Sequence, residues 1–326
     1  MTGAARPAGR VVVFGDVIED IIVTPASAIR PDTDTTARIE RRAGGSAANS
    51  AAWFGELGFT TDFFGRVGHG TAPLHGSVLR RSGVTAHLRE DPELPTGTIV
   101  VILEADRTRT MLTERGANAL VGADDVDRAL FGPGTHLHFT GYSLFSDTRD
   151  SRLAEFARLI AAARDAGSSV SVNPGSAGFI ADHGPASVLA GTAGATVLLP
   201  NLDEGRALTG LDDENAVLDA LLAHYEIVAL TRGRRGVLAA SRDHGPVEVP
   251  APPVDPIDTT GAGDAFSAGF LGSLLASGPV TSEQVDSGRL TEAGLQGVRC
   301  AAVAVTTSGA RPPEGAGARL ERESLR

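Results

Sequence analysis

Asp258-Thr259-Thr260-Gly261-Ala262-Gly263-Asp264-Ala265-Phe266 is the segment of this chain richest in chemistry. Phe266, Phe270 and Leu274 recur at four-residue intervals, so a helix is expected to begin near Asp264. Gly261, Ala262 and Gly263 feed that helix. A turn of small residues at a helix N-terminus offers bare N–H groups and the positive end of the helix dipole, a setting for phosphate oxygens. An acid at the lip of such a cradle repels the anion. Asp264 is explained if it takes a proton from a hydroxyl that attacks phosphorus. The same dipole predicts that Asp264 stays ionised and acts as a weak base. The plain alternative is a loop closed by a capping Asp.

Other segments carry compatible groups. Gly44-Gly45-Ser46-Ala47-Ala48-Asn49 permits close backbone approach at its glycines and directs an amide from the first turn of a helix at Asn49, or is merely a tight strand-to-helix turn. Phe14-Gly15-Asp16-Val17-Ile18-Glu19-Asp20 closes the first strand, and ligands of open α/β sheets bind beyond the carboxyl ends of strands. Asp16 there is equally a solvated turn residue. Asn201 and Glu204 share one face of a helical first turn, as a functional pair or as a cap with a favourable acid. Thr231, Gly233 and Gly236 follow another strand, with Arg232, Arg234 and Arg235 placed to add positive charge or to form a solvated turn.

Composition narrows the classes. The 326 residues are 42% hydrophobic and 21% charged, as in a soluble globular protein, and contain no apolar run long enough to span a membrane. A polar start and a lone Cys300 lead to the expectation of a cytoplasmic location. A net charge of −11 disfavours nucleic acid or an anionic membrane as partner. The 29 basic residues are all arginine. Without lysine there can be no P-loop, no Schiff base and no lysine-dependent protein-kinase site. Phosphate chemistry here must rest on backbone amides, arginine and a divalent metal.

These groups need a scaffold. Apolar strands are expected at 10–14, 61–67, 136–140, 168–172, 196–199 and 227–231, alternating with helices at 47–57, 74–82, 151–166, 216–225, 265–276 and 291–306. That alternation predicts an α/β fold, doubly wound on a mostly parallel central sheet, as a single catalytic domain over residues 1–326. Two β-rich stretches, residues 21–42 and 96–113 (the latter through Arg107 and Arg109), fall between the core units and are expected to form a small discontinuous sheet that serves as a lid. Residues 314–326 read as a loosely ordered polar tail.

Together the segments resemble the ribokinase-like (PfkB) carbohydrate kinases, in family order over nearly the whole chain. The resemblance implies that Gly261–Gly263 form an anion hole, that Asp264 is the catalytic base, and that Asp16, Asp20, Gly44, Gly45 and Asn49 bind a sugar-like substrate. It implies ATP at Asn201, Glu204, Thr231, Gly233 and Gly236, with Glu204 organising Mg²⁺ through water. A K⁺ site is implied at Asp258 and Thr260, beside Ala304 and Gly309, although Pro312-Pro313 departs from the usual pattern there. Family lids often pair subunits, which implies a homodimer through the lid. Other departures touch substrate recognition: His69-Gly70-Thr71, Ser46 where ribokinases often have Lys, and Asn173-Pro174-Gly175-Ser176 without the arginine of several acidic-sugar kinases. The expected activity is ATP-dependent phosphorylation of a neutral sugar or polyol. A nucleoside kinase is the first rival, disfavoured by a lid without aromatic residues, though Trp53, Phe64 or Tyr142 could supply a stacking face. The second is a non-catalytic sugar or nucleotide sensor, disfavoured by the presence of Asp264 and Glu204.

Overall fold

The computed structural model describes residues 9–103, 109–145 and 151–324. Arg107 lies outside them. From the N-terminus the elements are β1 (Arg10–Phe14), β2 (Ile18–Pro25), β3 (Ala37–Gly44), α1 (Ser46–Glu56), β4 (Thr60–Gly68), α2 (Ala72–Arg81), β5 (Val84–Asp91), β6 (Gly97–Leu103) and β7 (Arg109–Glu114). After them come β8 (Thr135–Thr140), α3 (Ser151–Asp165), β9 (Ser169–Asn173), α4 (Ala177–His183), α5 (Pro185–Gly191), β10 (Val197–Leu198), α6 (Leu202–Thr209) and α7 (Glu214–Leu222). The chain ends with β11 (Ile227–Thr231), β12 (Val237–Ser241), β13 (Val247–Val249), α8 (Ala262–Ala276), α9 (Ser287–Val305) and α10 (Ala316–Ser324).

Alternation along β1 explains the layering. Val11 and Val13 point to one face, with Trp53, Phe270 and Leu274; Val12 and Phe14 point to the other, with Phe139, Phe156 and Leu159. Both faces are therefore apolar, and helices cover each. The central sheet runs β13-β12-β11-β10-β9-β8-β1-β4-β5, parallel except where β12 and β13 join antiparallel at one edge. This is the doubly wound, mostly parallel α/β sheet expected from the sequence. The second sheet, β3-β2-β6-β7, is the lid. Its strands run from Ile18 to Gly44, beyond the expected 21–42 at both ends, and from Gly97 to Glu114, one residue later than the expected 96–113.

Two expectations are corrected. Asp20 does not close the first strand: it stands on β2, opposite Arg42 of β3, and is thus a lid residue. The C-terminal segment is not a loose tail. Helix α10 seats Ala316 and Leu320 in the core beside α1, and a Cβ at Gly317 would lie 2.2 Å from the Glu56 carbonyl oxygen. Small residues let that helix approach closely, which a charge-based reading of the tail misses. Among the described residues no helix is long and apolar enough to cross a membrane.

Candidate active site

Helix α8 begins at Ala262, earlier than expected, because Gly261 caps it in the left-handed conformation (φ 77°). A Cβ on Gly261 would meet Ala310 at 2.6 Å, so only glycine allows the C-terminal loop this close. Ala262, Gly263 and Asp264 thus form the first turn of α8, where backbone N–H groups have no intrahelical acceptor. Gly263 is exposed, and a Cβ there would have only Asn173 Nδ2 within 4 Å, at 3.9 Å. The cradle is open to a ligand.

Asp264 sits at the third position of that turn, buried to 7% exposure. One carboxylate oxygen accepts from Ser46 Oγ at 2.6 Å and the other from Asn49 Nδ2 at 3.0 Å. Burial lifts its pKa to about 7; the two hydrogen bonds and Arg311 act downward, and the charge of Asp16 acts upward. The expectation of a low, dipole-controlled pKa is therefore corrected: desolvation outweighs the helix terminus. Asn49 Oδ1 is buried without a hydrogen-bond partner and Asn49 lines the cavity, so a substrate hydroxyl can satisfy it. Ser46, seen in the sequence only as a departure, belongs to the site; nothing in its local spacing foretells a bond to a residue more than two hundred positions away.

The residues expected to bind the substrate divide by setting. Asp16 is neither a ligand-only group nor a solvated turn. Its carboxylate accepts from the backbone N–H groups of Ser46 (2.7 Å) and Ala47 (3.1 Å), capping α1 from outside that helix. Asp20 faces the cavity, and burial, aided by the charge of Asp16, raises it to about 6. Gly44 makes room for it: a Cβ would fall 2.1 Å from Asp20 Oδ2. Gly45 takes φ 94° against the Asp16 carbonyl. Gly44 is off the cavity wall and acts through this close approach, while Gly45 lines the cavity.

On the opposite side Asn201 and Glu204 form a reciprocal cap of α6. Glu204 accepts from Asn201 N at 2.8 Å and from its Nδ2 at 2.6 Å, and Asn201 Oδ1 accepts from Glu204 N at 2.9 Å. Both side chains also line the cavity, so the capping and functional readings coexist. Burial pushes Glu204 up to about 8. Thr231 lines the same cavity; Gly233 and Gly236 do not. Gly236, at φ 86°, would place a Cβ 2.0 Å from the Val249 carbonyl oxygen, so it shapes the loop. The arginines of that loop are corrected as well. Arg232 turns inward to Glu214 (3.0 Å) and Glu248 (2.7 Å), whereas Arg234 and Arg235 stay exposed, Arg235 pairing with Glu214 (2.9 Å).

Asp258 Oδ1 accepts from Thr260 N (3.0 Å) and Thr260 Oγ1 (2.7 Å), and Oδ2 accepts from Gly309 N (3.0 Å). Arg42 reaches the same place from the lid, donating to Ser308 Oγ at 2.9 Å with Nη1 3.9 Å from Asp258 Oδ2. Of the aromatic residues named as stacking faces, Trp53 is in the core and Phe64 stacks on His87 elsewhere. Tyr142 does reach the cavity, and Phe179, which the sequence reading missed, stands beside it with ring centroids 5.3 Å apart. Lid, α1, α8, Asn201/Glu204 and Thr231 enclose one continuous cavity of about 1790 Å³.

Known proteins resemble this chain in sequence and fold. The sequence is 32% identical over 282 residues to a fructokinase of Klebsiella pneumoniae, covering 83% of this chain and 86% of that one. The structure superposes on fructokinase from Vibrio cholerae O395, solved with fructose, ADP and calcium, with a TM-score of 0.76 at 27% identity, covering 96% of this chain and 99% of that one. A double mutant of that enzyme, solved with fructose, ADP and potassium, matches with a TM-score of 0.77 at 27% identity, over 97% and 99% of the two chains. Residues 8–315 match the model of the pfkB family carbohydrate kinases. The match runs through the lid and every segment that lines the cavity, and the chain belongs to the pfkB family of carbohydrate kinases and is a sugar-kinase phosphotransferase.

Proposed function

We propose that the protein transfers the γ-phosphoryl group of ATP to a hydroxyl of a neutral sugar or polyol, with Asp264 as the base. The observation that carries this reading is the setting of Asp264. Its carboxylate is held by Ser46 and Asn49 beside the open amides of α8, in the cavity that also contains Asp20 and the Asn201/Glu204 pair. Asp20 and Asn49 bind and orient sugar hydroxyls. Asp264 accepts the proton of the attacking hydroxyl as its oxygen bonds to phosphorus and the bond to the ADP oxygen breaks. The amides of Ala262, Gly263 and Asp264 hold the charge on the transferring group. A pKa of about 7 suits a base working near neutral pH.

Among the described residues no cluster of three or more His, Cys, Asp or Glu is arranged as a metal cage. Mg²⁺ keeps much of its water and rides on phosphate oxygens; Glu204 and Asn201, both on the cavity wall, would orient its waters, and the ion would neutralise charge on the phosphates. Asp258 and Thr260 offer oxygen ligands for K⁺ next to the cradle. Arg42 already brings positive charge there, so a bound K⁺ would share Asp258 with it.

Neutral substrates are favoured because, among the described residues, the arginines that line the cavity already have hydrogen-bond or ion-pair partners. On the lid, Arg38 and Arg42 both pair with Glu40. Arg115 donates to the carbonyls of Phe145 and Tyr142. In the sequence, Asn173-Pro174-Gly175-Ser176 lacks the arginine that several acidic-sugar kinases carry there. A nucleoside is the second reading, and the pairing of Tyr142 with Phe179 on the cavity wall favours it by offering a base an aromatic surface. An ADP-release screen over pentoses, hexoses, polyols, keto-acid sugars and nucleosides decides between them. The highest kcat/KM is expected for a neutral sugar; a nucleoside or keto-acid sugar well above every neutral sugar overturns the choice.

A further inference from the structure

We propose that Arg311 is a positioning residue of the phosphoryl-transfer site, clamping the sugar-side loop at Gly44 and the first turn of α1 at Ala48 while supplying positive charge to Asp264. The proposal rests on the reading of Asp264 as the base.

Arg311 lies in the loop after α9. Its Nη1 donates to the Ala48 carbonyl at 2.5 Å and its Nη2 to the Gly44 carbonyl at 3.2 Å. Its Nε is enclosed and has no hydrogen-bond partner. The loop is fixed from two sides: Trp53 Nε1 donates to the Ala310 carbonyl at 3.3 Å, and Ala310 abuts Gly261 of the anion cradle. Pro312 follows directly and disfavours a helical backbone at Arg311. The guanidinium is placed by its two carbonyl acceptors.

Its two acceptors are carbonyls, which satisfy donors without cancelling charge. Burial pulls the Arg311 pKa down to about 10, and the charges that resist this are Asp264, then Asp16, then Asp20. Arg311 does not line the cavity, so it touches neither sugar nor phosphate and acts through others. Gly44 leaves room for the Asp20 carboxylate and Ala48 precedes Asn49, so both arms of the guanidinium end beside a residue assigned to sugar binding.

The charged and titratable groups around Asp264 are few. Asp16 faces it from the β1–β2 turn, Asp20 and Arg42 stand on the lid strands, Glu204 on α6, Tyr142 after β8 and Asp258 before α8. Helix α9 meets α8 through small and apolar contacts, Gly269 with Cys300 and Gly297 with Phe266. On α2, His75 faces Arg311 and is held below its ordinary value by burial and then by that charge. Removing Arg311 leaves acids without their shared buried counter-charge, so Asp264 would hold its proton to higher pH.

The test is the pH profile of kcat/KM for the best neutral sugar of the screen, D-fructose being tried first, in wild type, Asp264→Asn, Arg311→Lys and Arg311→Met. Arg311→Met is expected to move the acid limb up by about one unit, and to raise the sugar KM about tenfold through the loosened Gly44–Asn49 segment. Arg311→Lys, which keeps the charge and loses the fork, should leave the limb in place and raise KM. Coincident limbs in Arg311→Met and wild type, or equal shifts in the Lys and Met variants, overturn the proposal. A wild type with no acid limb, or an active Asp264→Asn, instead overturns the base assignment. Thermal unfolding at pH 8 gives a second readout. Asp264→Asn should restore much of the Tm lost in Arg311→Met, since the unpaired buried charge is gone. Strictly additive Tm changes, or a double variant that folds no better than Arg311→Met, also count against it.

Discussion

At the scale of single residues the site turns on buried carboxylates whose proton affinities are set by their surroundings. Asp264→Asn should lower kcat by roughly 10²–10⁴, the range for a lost general base; near-wild-type turnover removes it from that role. The same substitution carries a stability signature. Folding raises the Asp264 pKa from 3.8 to about 7, so the folded state holds the proton more tightly than the unfolded chain. Stability from this group is full below about pH 4 and falls as pH rises toward 7, by on the order of 4 kcal/mol for about three units. Asp264→Asn should therefore be close to wild type in Tm at pH 4 and above it at pH 8. A difference that does not grow with pH contradicts the burial argument. At Glu204 the prediction concerns metal. Glu204→Gln should raise the apparent Mg²⁺ requirement roughly tenfold, as for loss of an outer ligand. The reciprocal cap with Asn201 gives a structural role in any case, so an unchanged Mg²⁺ titration would leave Glu204 only that role.

At the scale of elements, helix termini and strand pairs place these groups. The first turn of α8 supplies the cradle, and α1, capped by Asp16 from the β1–β2 turn, aims Asn49 at Asp264. Lid strands β2 and β3 pair Asp20 with Arg42 and press Gly44 onto the Asp20 carboxylate. Gly44→Ala tests whether that strand contact sets sugar binding. The added methyl must displace Asp20, so the sugar KM should rise about tenfold or more with a smaller change in kcat. An unchanged KM would mean that Asp20 does not hold the sugar. The capping of α8 at Gly261 and the seating of α10 in the core were not legible locally, because both depend on what approaches: Ala310 in one case, Glu56 in the other.

At the scale of the whole molecule, Asp258 ties distant parts together. It binds Thr260 ahead of the cradle, Gly309 beyond α9, and lies within reach of Arg42 on the lid. A K⁺ ion at Asp258 and Thr260 would stiffen this junction and orient the α8 amides. Activity should rise when K⁺ replaces Na⁺ or a bulky organic cation at constant ionic strength, and Asp258→Ala should flatten the response; equal rates in all three salts mean that Arg42 and the backbone suffice. The sequence by itself determined the family, the doubly wound sheet with its lid, and the segments around the cavity. Those follow from local rules: strand and helix periodicity, and glycines where backbone must approach a ligand. Only the tertiary structure decided the roles within them. It turned Arg232 inward, made Asp16 a cap, brought Ser46 and Arg311 to Asp264, and set Asp264 near 7. Burial and ion pairing sum over neighbours distant in the chain, and no local spacing encodes that sum.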